Sequence, residues 1–509
     1  MGAWFGFTLP SEQKTVSGIC GPFSIYQRNW YARSLVTVEG AKTVAKEYIP
    51  GEISIEQTLK GNEIVQRLQF VDSNTALLTI DNPSGMPLTF IADSISNDMS
   101  LTLKSNALVI NNKGEEAIML TFTEGMSTTI DGHNYRSVSG KGDKRIVIGI
   151  SMAVQETDLA VQKVKVASML ANPQPSLNAN EERWNGYLRK VIRQDMPHEY
   201  NRVAVKSIVT LMSNWRSRRG EVRHDGIVPS HAVNYFIGFW AWDCWRFSAA
   251  MASFFPELAK DNIRVMFDYQ QPDGMVIDCI YPDASENNAR DSKPPLASWA
   301  VDRVFECTKD TSFVREMYPK LLKYYKWWYR ERDHDHNGIC EFGSVDGTLE
   351  AAAWESGMDN AIRFDHAKML RNDSAAYSID QESVDLNCYL ALEYTLMKKF
   401  AGIIGERLNL PDRRKMIADY FFDSKEGFFF DRHLNASRSY VKQPGCEGYI
   451  PFWTGIATKS QFKAARKLLD DEKKFSTFIP FPTIAADNPK YDKNGYWRGP
   501  IWLDQTYYG

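Results

Sequence analysis

Two carboxylates, Glu355 and Asp359, flank a Ser-Gly break in "AAWESGMDNA" (residues 352–361), beside Trp354 and a run of alanines. Acids in such small apolar company are either satisfied structural groups or chemically employed. Asp243 poses the same choice in "YFIGFWAWDCW" (235–245). Either it caps the helix that follows, a role aspartate fills well, or it binds sugar hydroxyls beside an aromatic platform. A third cluster, "DHDHNGICE" (333–341), is more specific. Asp333, Asp335, Asn337 and Glu341 stand at positions 1, 3, 5 and 9, with Gly338 at 6 and the Ile339 carbonyl at 7, the oxygen spacing with which a short loop wraps calcium. Position 12 is Ser344 rather than Glu, so a distant carboxylate must complete the shell. The plainer alternative is a polar turn between helices, with His334 and His336 pointing outward. Two further loops mix cations with rings or prolines: "NARDSKPPLASWA" carries Arg290, Asp291 and Lys293, and "GYWRGPIWLDQ" carries Trp497, Arg498, Trp502 and Asp504. Each is either a capped helix start or a polar-ligand loop. Neither a GxGxxG nor a P-loop motif occurs, and no Ser-His-Asp order is defensible, which removes dinucleotide, phosphate-cradle and triad readings.

These residues need elements to position them, and the chain has two kinds. At 509 residues it exceeds one ordinary core, so two domains are expected. Residues 1–160 read as an antiparallel β-sandwich. "ISIEQTL" sets Ile53 and Ile55 against Ser54 and Glu56, and "RIVIGIS" sets Ile146, Ile148 and Ile150 against Val147, Gly149 and Ser151. The turn clusters "DNPSG", "NNKG" and "DGHN" separate the strands. A helical, proline-containing linker is expected over 161–188, ending in "ANPQPSLNANEE". From 189 the period becomes helical. Val314, Tyr318, Leu321, Tyr325 and Trp328 form one face; Tyr389, Leu392, Leu396, Phe400 and Ile403 form another. Similar faces occur at 198–216, 243–255, 257–270, 295–308, 410–421 and 460–470. Long helices joined by loops that hold the unusual residues fit a helical toroid.

Composition narrows the function. A net charge of −3 gives no electrostatic case for nucleic acid or an anionic membrane. No apolar run approaches the roughly 18 residues that span a bilayer. Seven scattered cysteines without CxxC spacing argue against a disulfide framework or a zinc site. Of 14 tryptophans only Trp4 and Trp30 precede residue 180, a skew that suits sugar stacking as well as aromatic core. "MGAWFGFTLP" lacks the regions of a signal peptide.

"FWAWD", "KPPLASWAV", "DHDHNG", "WESGMD", "QESVD", "EGYIPFWTG" and "YWRGPIWLD", in this order, resemble bacterial members of glycoside hydrolase family 63 over essentially the whole chain. The resemblance implies an inverting α-glucosidase acting on small α-glucosides or oligosaccharide ends, with an (α/α)6 barrel over 189–509 behind the sandwich. Asp359 is then the general acid. Apolar neighbours such as Trp354 and Met358 would lift its pKa towards working pH. Glu355 becomes its orienting support, Asp243 holds sugar hydroxyls, and Trp240, Trp242, Lys293, Trp354, Glu447, Trp497, Arg498 and Trp502 line the substrate site. The aspartate loop becomes a structural calcium site, with Glu382 as the distant ligand. No organic cofactor is implied, and a monomer is expected. The family's base is a glutamate after the WRG-type motif, followed by the last barrel helices. This chain stops at Gly509, so a truncated sequence lacking that base is expected, and with it the alternative of an inactive sugar-binding fragment. Trehalases and mannosyl- or glucosylglycerate hydrolases share the scaffold and are the alternative specificities. Related bacterial enzymes are often exported.

Overall fold

The computed structural model describes residues 1–12, 16–113, 115–154, 156–373 and 375–509. Gly114 of the "NNKG" turn lies outside the described residues. The chain forms two compact units, Met1–Ser217 with Ile227–Ile237, and Arg218–Gly226 with Gly238–Gly509. The expected division near 189 therefore falls inside the first unit. Among the described residues no helix is long and apolar enough to cross a membrane.

The first unit contains a seven-stranded and an eight-stranded sheet, antiparallel apart from one parallel contact at Gly21 and Ser34. Buried polar bonds tie the sheets together, such as Ser24 Oγ to Glu116 Oε2 at 2.5 Å. Strict alternation fails in two places for visible reasons. Gln57 points inward in the Ile55 series and is fully buried, because it donates to the Ser17 carbonyl (2.6 Å) and accepts from Gln66 Nε2 (2.6 Å). Strand Arg145–Ala153 is buried on both faces, so Val147, Gly149 and Ser151 are not solvent-facing as their alternation suggests. Helix α1 (Glu156–Ala171) covers the outer face: a Cβ on Gly149 would lie 2.3 Å from a Val166 methyl. Glycine is what lets the helix seat there. The expected linker, 161–188, falls on the later part of α1 and most of helix α2 (Gln174–Val191), which has Pro173 at its N-cap and Pro175 in its first turn, where a missing N–H costs no hydrogen bond. Helix α3 (His198–Ser213) also belongs to this unit.

The second unit is helical: α4 (Ala241–Met251), α5 (Pro256–Phe267), α6 (Ala297–Thr308), α7 (Thr311–Glu331), α8 (Leu349–Glu355), α9 (Val384–Ile404), α10 (Arg414–Tyr420), α11 (Ile450–Trp453), α12 (Lys459–Leu469) and α13 (Leu503–Tyr508). Helix α6 packs on α4, α5, α7 and α9, and α9 packs on α7, α10 and α11. Asp310 caps α7 by accepting from the Ser312 (3.0 Å) and Phe313 (3.1 Å) N–H groups. The buried face of α9 is rotated from the expected one. Leu390, Glu393, Tyr394, Met397 and Ala401 are buried, whereas Leu392, Leu396 and Ile403 are half-exposed. The rotation follows from Glu393, whose carboxylate accepts from the Ser298 (2.8 Å) and Trp299 (3.2 Å) N–H groups at the start of α6. A hydrogen-bond acceptor suits the open N–H groups of that helix start, so a residue that sequence patterning places outside ends up inside.

Candidate active site

Helix α8 runs from its Thr348 cap into the Ser-Gly break, and Asp359 lies just beyond. The Ser356 hydroxyl donates to the Ala353 carbonyl (2.6 Å) and accepts from the Met358 N–H (3.0 Å), which closes the turn. Gly357 has φ +70°, and a Cβ there would fall 1.4 Å from Trp242 Cζ3. The indole of the "FWAWD" segment is thus pressed directly onto the turn that presents Asp359. Glycine suits the position twice over, by its backbone angle and by its lack of a side chain.

Glu355 is fully buried and closed to ligands. Arg332 grips it with two parallel bonds of 2.8 Å, and the Ser292 (3.1 Å) and Gly343 (2.6 Å) N–H groups donate to its oxygens. Of the sequence expectations for Glu355, the supporting one fits these bonds and direct substrate binding does not. Asp359 is half-buried. Burial raises its pKa, against the nearby Lys293 ammonium and a bond to the Tyr496 side chain, while the Asp278 carboxylate adds to the rise.

Lys293 is buried with three acids. Its Nζ lies 3.0 Å from Asp278 and 3.6 Å from Asp291 and donates to the Trp354 carbonyl. Burial would lower this lysine, but Asp278, Asp291 and Asp359 hold it charged. Asn288 bridges Asp278 (2.8 Å) and Asp291 (2.9 Å). The Ala241 N–H donates to the Asp278 carbonyl (3.0 Å), joining this cluster to the start of α4. Asp243 sits in the first turn of α4, two residues past its start, and Trp240 occupies the cap position; the capping reading of Asp243 is therefore set aside. Burial pushes the Asp243 carboxyl up to about 6, opposed by Arg246 and Lys293.

The tryptophans form a stack rather than separate platforms. Trp497 lies between Trp242 (6.3 Å, 26°) and Trp502 (4.5 Å, 3°), and the Arg246 guanidinium covers Trp242 at 3.8 Å. Trp240 packs edge-on against Tyr281 at 5.7 Å. Asn360 ties the acid loop to this wall, accepting from the Trp497 N–H (2.9 Å) and donating to the Gly495 carbonyl (3.0 Å). Arg498 pairs with Asp365 at 2.6 Å. Arg290 pairs with Asp346 (2.6 Å) and lies over Trp354 at 5.2 Å. Glu447 is buried, and Cys446 beside it touches Met358 (3.7 Å between sulfurs). Burial raises the Glu447 carboxyl, against the Arg363 charge. Sequence reasoning missed Asp278, Arg246, Tyr496 and the Arg363–Asp385–Asp431 cluster. Acids inside or beside the apolar runs "MVIDCIY" and "FFFD" were the available signals for Asp278 and Asp431, and Tyr496 and Asp385 lie in the "GYWRGPIWLDQ" and "QESVD" segments; Arg246 and Arg363 carry none.

In the aspartate loop, Asp335, Glu341 and Glu382 bring carboxylate oxygens within 4.8 Å of one another. Glu341 and Glu382 face each other across paired strands, and Asp333 Oδ1 and Glu341 Oε1 are buried without a hydrogen-bond partner among the described residues. Asn337 donates to Glu382 (2.6 Å), and its own oxygen is taken by the Ile339 N–H (2.7 Å). Arg438 reaches both Asp335 and Glu382. His334 and His336 turn to Asn372 (2.8 Å) and Asp373 (2.9 Å).

Residues 237–509 match the family model described as the mannosylglycerate hydrolase MGH1-like glycoside hydrolase domain. Mannosylglycerate hydrolase MGH1 of Selaginella moellendorffii is 24% identical over 339 residues, 52% of this chain and 67% of that protein. Mannosylglycerate hydrolase of Thermus thermophilus is 22% identical over 350 residues, 54% of this chain and 81% of that one. In fold, the chain is similar to a bacterial glucoamylase solved with acarbose (TM-score 0.51, 9% identity, 92% of this chain and 76% of that one). Antiparallel sheets followed by a helical unit of the (α/α)6 barrel type give the fold, and the matching family model gives the class, a glycosidase. The chain belongs to the MGH1-like glycoside hydrolase family.

Proposed function

We propose that this glycosidase is an inverting, exo-acting enzyme for small neutral α-glucosides, with Asp359 as general acid. The observation that carries the reading is the placement of Asp359: half-buried, presented by a turn locked under Trp242, with a raised pKa. An inverting glycosidase needs one protonated carboxyl at the leaving oxygen and a second carboxylate across the ring to activate water. Asp359 delivers the proton as the glycosidic bond breaks. Lys293 then steadies the carboxylate that remains. Asp243 holds hydroxyls of the terminal sugar through charge-assisted bonds, and the Trp242–Trp497–Trp502 wall excludes water from one side. The water-activating carboxylate must be free of an ion pair. That sets aside Asp504, held by Arg246 at 2.7 Å, and Asp385 and Asp431, held by Arg363.

Neutral substrates are favoured because the cations around Asp359 are already matched. Lys293 has Asp278 and Asp291, Arg498 and Lys490 share Asp365, and Arg246 has Asp504. The second reading, hydrolysis of mannosylglycerate or glucosylglycerate, is favoured by the names of the relatives and requires one of these pairs to open for the substrate carboxylate. Initial rates on kojibiose, nigerose, isomaltose, trehalose, mannosylglycerate and glucosylglycerate separate the two readings, and NMR of the first-formed anomer reports inversion. Release of the α-anomer of the product sugar would overturn the mechanism.

The aspartate loop suits a structural calcium ion. Asp333, Asp335, Glu341, Glu382 and the Ile339 carbonyl supply hard oxygen donors, and two of the buried carboxylate oxygens lack a partner among the described residues. Asn337 fits less well, since its side-chain oxygen is already bonded. The ion would tie the loop after α7 to the strand before α9, with no part in bond cleavage.

A further inference from the structure

A lysine beside a carboxyl group that must carry a proton is an obstacle, since an opposite charge close by lowers a carboxyl pKa by about 1–3. Lys293 is such a neighbour of Asp359, and its charge is the largest influence opposing the rise caused by burial. Yet no salt bridge joins the two among the described residues. The ammonium is engaged elsewhere, 3.0 Å from Asp278 Oδ1 and 3.6 Å from Asp291 Oδ2, with a bond to the Trp354 carbonyl.

The two acids are aimed at the lysine by the residues around them. Asn288 donates to Asp278 Oδ2 (2.8 Å) and to Asp291 Oδ1 (2.9 Å), so each acid turns its other oxygen to Lys293. The Asp278 backbone is fixed on both sides: its N–H donates to the Asp291 carbonyl (3.0 Å), and its carbonyl accepts from the Ala241 N–H (3.0 Å). Asp278, Asp291 and Lys293 are all buried, so little water is at hand to replace a lost partner. An ammonium deprived of one acid there must turn to another. Of the remaining charged groups, Asp243 feels both Lys293 and Arg246, and Glu355, beside Asp291, belongs to Arg332. The titratable groups facing Asp359 are Lys293, Tyr496 and Asp278. Asp359 is therefore the acid left for a released Lys293.

We propose that Asp278 is a positioning residue for the acid step: with Asp291 it draws the Lys293 ammonium onto itself, so that no direct ion pair forms with Asp359 and that carboxyl is free to carry its proton to the glycosidic oxygen. The inference rests on Asp359 being the general acid. The full chain is labelled with carbon-13 at its aspartate carboxyl groups, and the NMR signal missing from Asp359→Asn identifies Asp359. In Asp278→Asn the titration midpoint of that signal should fall by at least about one pH unit, as for a carboxyl that gains an ammonium partner. The alkaline limb of kcat on the best disaccharide should move down with it. In a Lys293→Met background the same replacement should move the midpoint less than about half as far, because the ammonium that would turn is gone. A merely structural Asp278 would leave the midpoint where it is. If Asp278→Asn does not fold, Asp291→Asn takes its place, with a smaller fall expected in the same direction. An unchanged Asp359 midpoint in the folded variant, or an equal fall in the Lys293→Met background, would overturn the proposal. Hydrolysis retained by Asp359→Asn would overturn the acid assignment itself, and that result is read separately from the NMR midpoint.

Discussion

Replacing Gly357 with alanine isolates the contact on which the active-site reading depends. Two costs add. Holding a non-glycine residue at φ +70° costs about 1–2 kcal/mol. A methyl placed 1.4 Å from Trp242 Cζ3 forces the ring or the turn to move, and overpacking of this kind costs about 1–3 kcal/mol. The ring has little freedom, because Arg246 covers it at 3.8 Å and Trp497 stacks on it. The sum is roughly 2–5 kcal/mol. Gly405 supplies the control. Its φ is +77°, but nothing lies within 4 Å of an added Cβ. Gly405→Ala should therefore cost only the conformational part, about 1–2 kcal/mol. Urea unfolding of the helical unit, followed by tryptophan fluorescence, gives the two stabilities, and initial rates on the best disaccharide give activity. Gly357→Ala should be the less stable and lose most of its kcat, while Gly405→Ala keeps its kcat. Equal stabilities with full activity in both would refute the idea that the Trp242 contact positions Asp359.

The remaining expectations concern charge. Asp359→Asn should abolish hydrolysis yet leave sugar binding measurable by calorimetry; retained turnover would remove the acid assignment. Because Asp243 ionises at about 6, its charge-assisted bonds to sugar hydroxyls appear as pH rises through that value, so KM should fall between pH 5 and 7. Asp243→Asn should flatten that trend, and an unchanged KM profile in the variant would show the trend has another source. Arg332→Met strands the Glu355 carboxylate in the interior and should cost about 3–5 kcal/mol in urea unfolding. A loss below about 1 kcal/mol, the range of an exposed pair, would contradict the buried pairing. If calcium fills the aspartate loop, calcium added to chelator-treated protein should raise the melting temperature, and Glu341→Gln should remove most of that rise; no shift in the parent protein would dismiss the site.

Much of the local structure was legible in the residues themselves. Helix α7 shows its buried face in the spacing of Val314, Tyr318, Leu321, Tyr325 and Trp328, because that face is apolar along its whole length. The Ser-Gly break before Asp359 is legible for a similar reason, since glycine and serine carry their turn chemistry with them. Polar groups whose partners lie far along the chain were not legible. Glu393 rotates α9 because it meets two N–H groups of α6, and Gly149 sits on a covered face because Val166 needs the space. Likewise, only the folded chain decides that Glu355 belongs to Arg332 and that Trp497 is sandwiched between two other indoles. The sequence alone determined the order of strands and helices and the acids able to do chemistry, since periodicity and residue type are local properties. Tertiary structure decided which acid is gripped and which has its pKa raised by burial, because both depend on burial and on partners that chain order does not reveal.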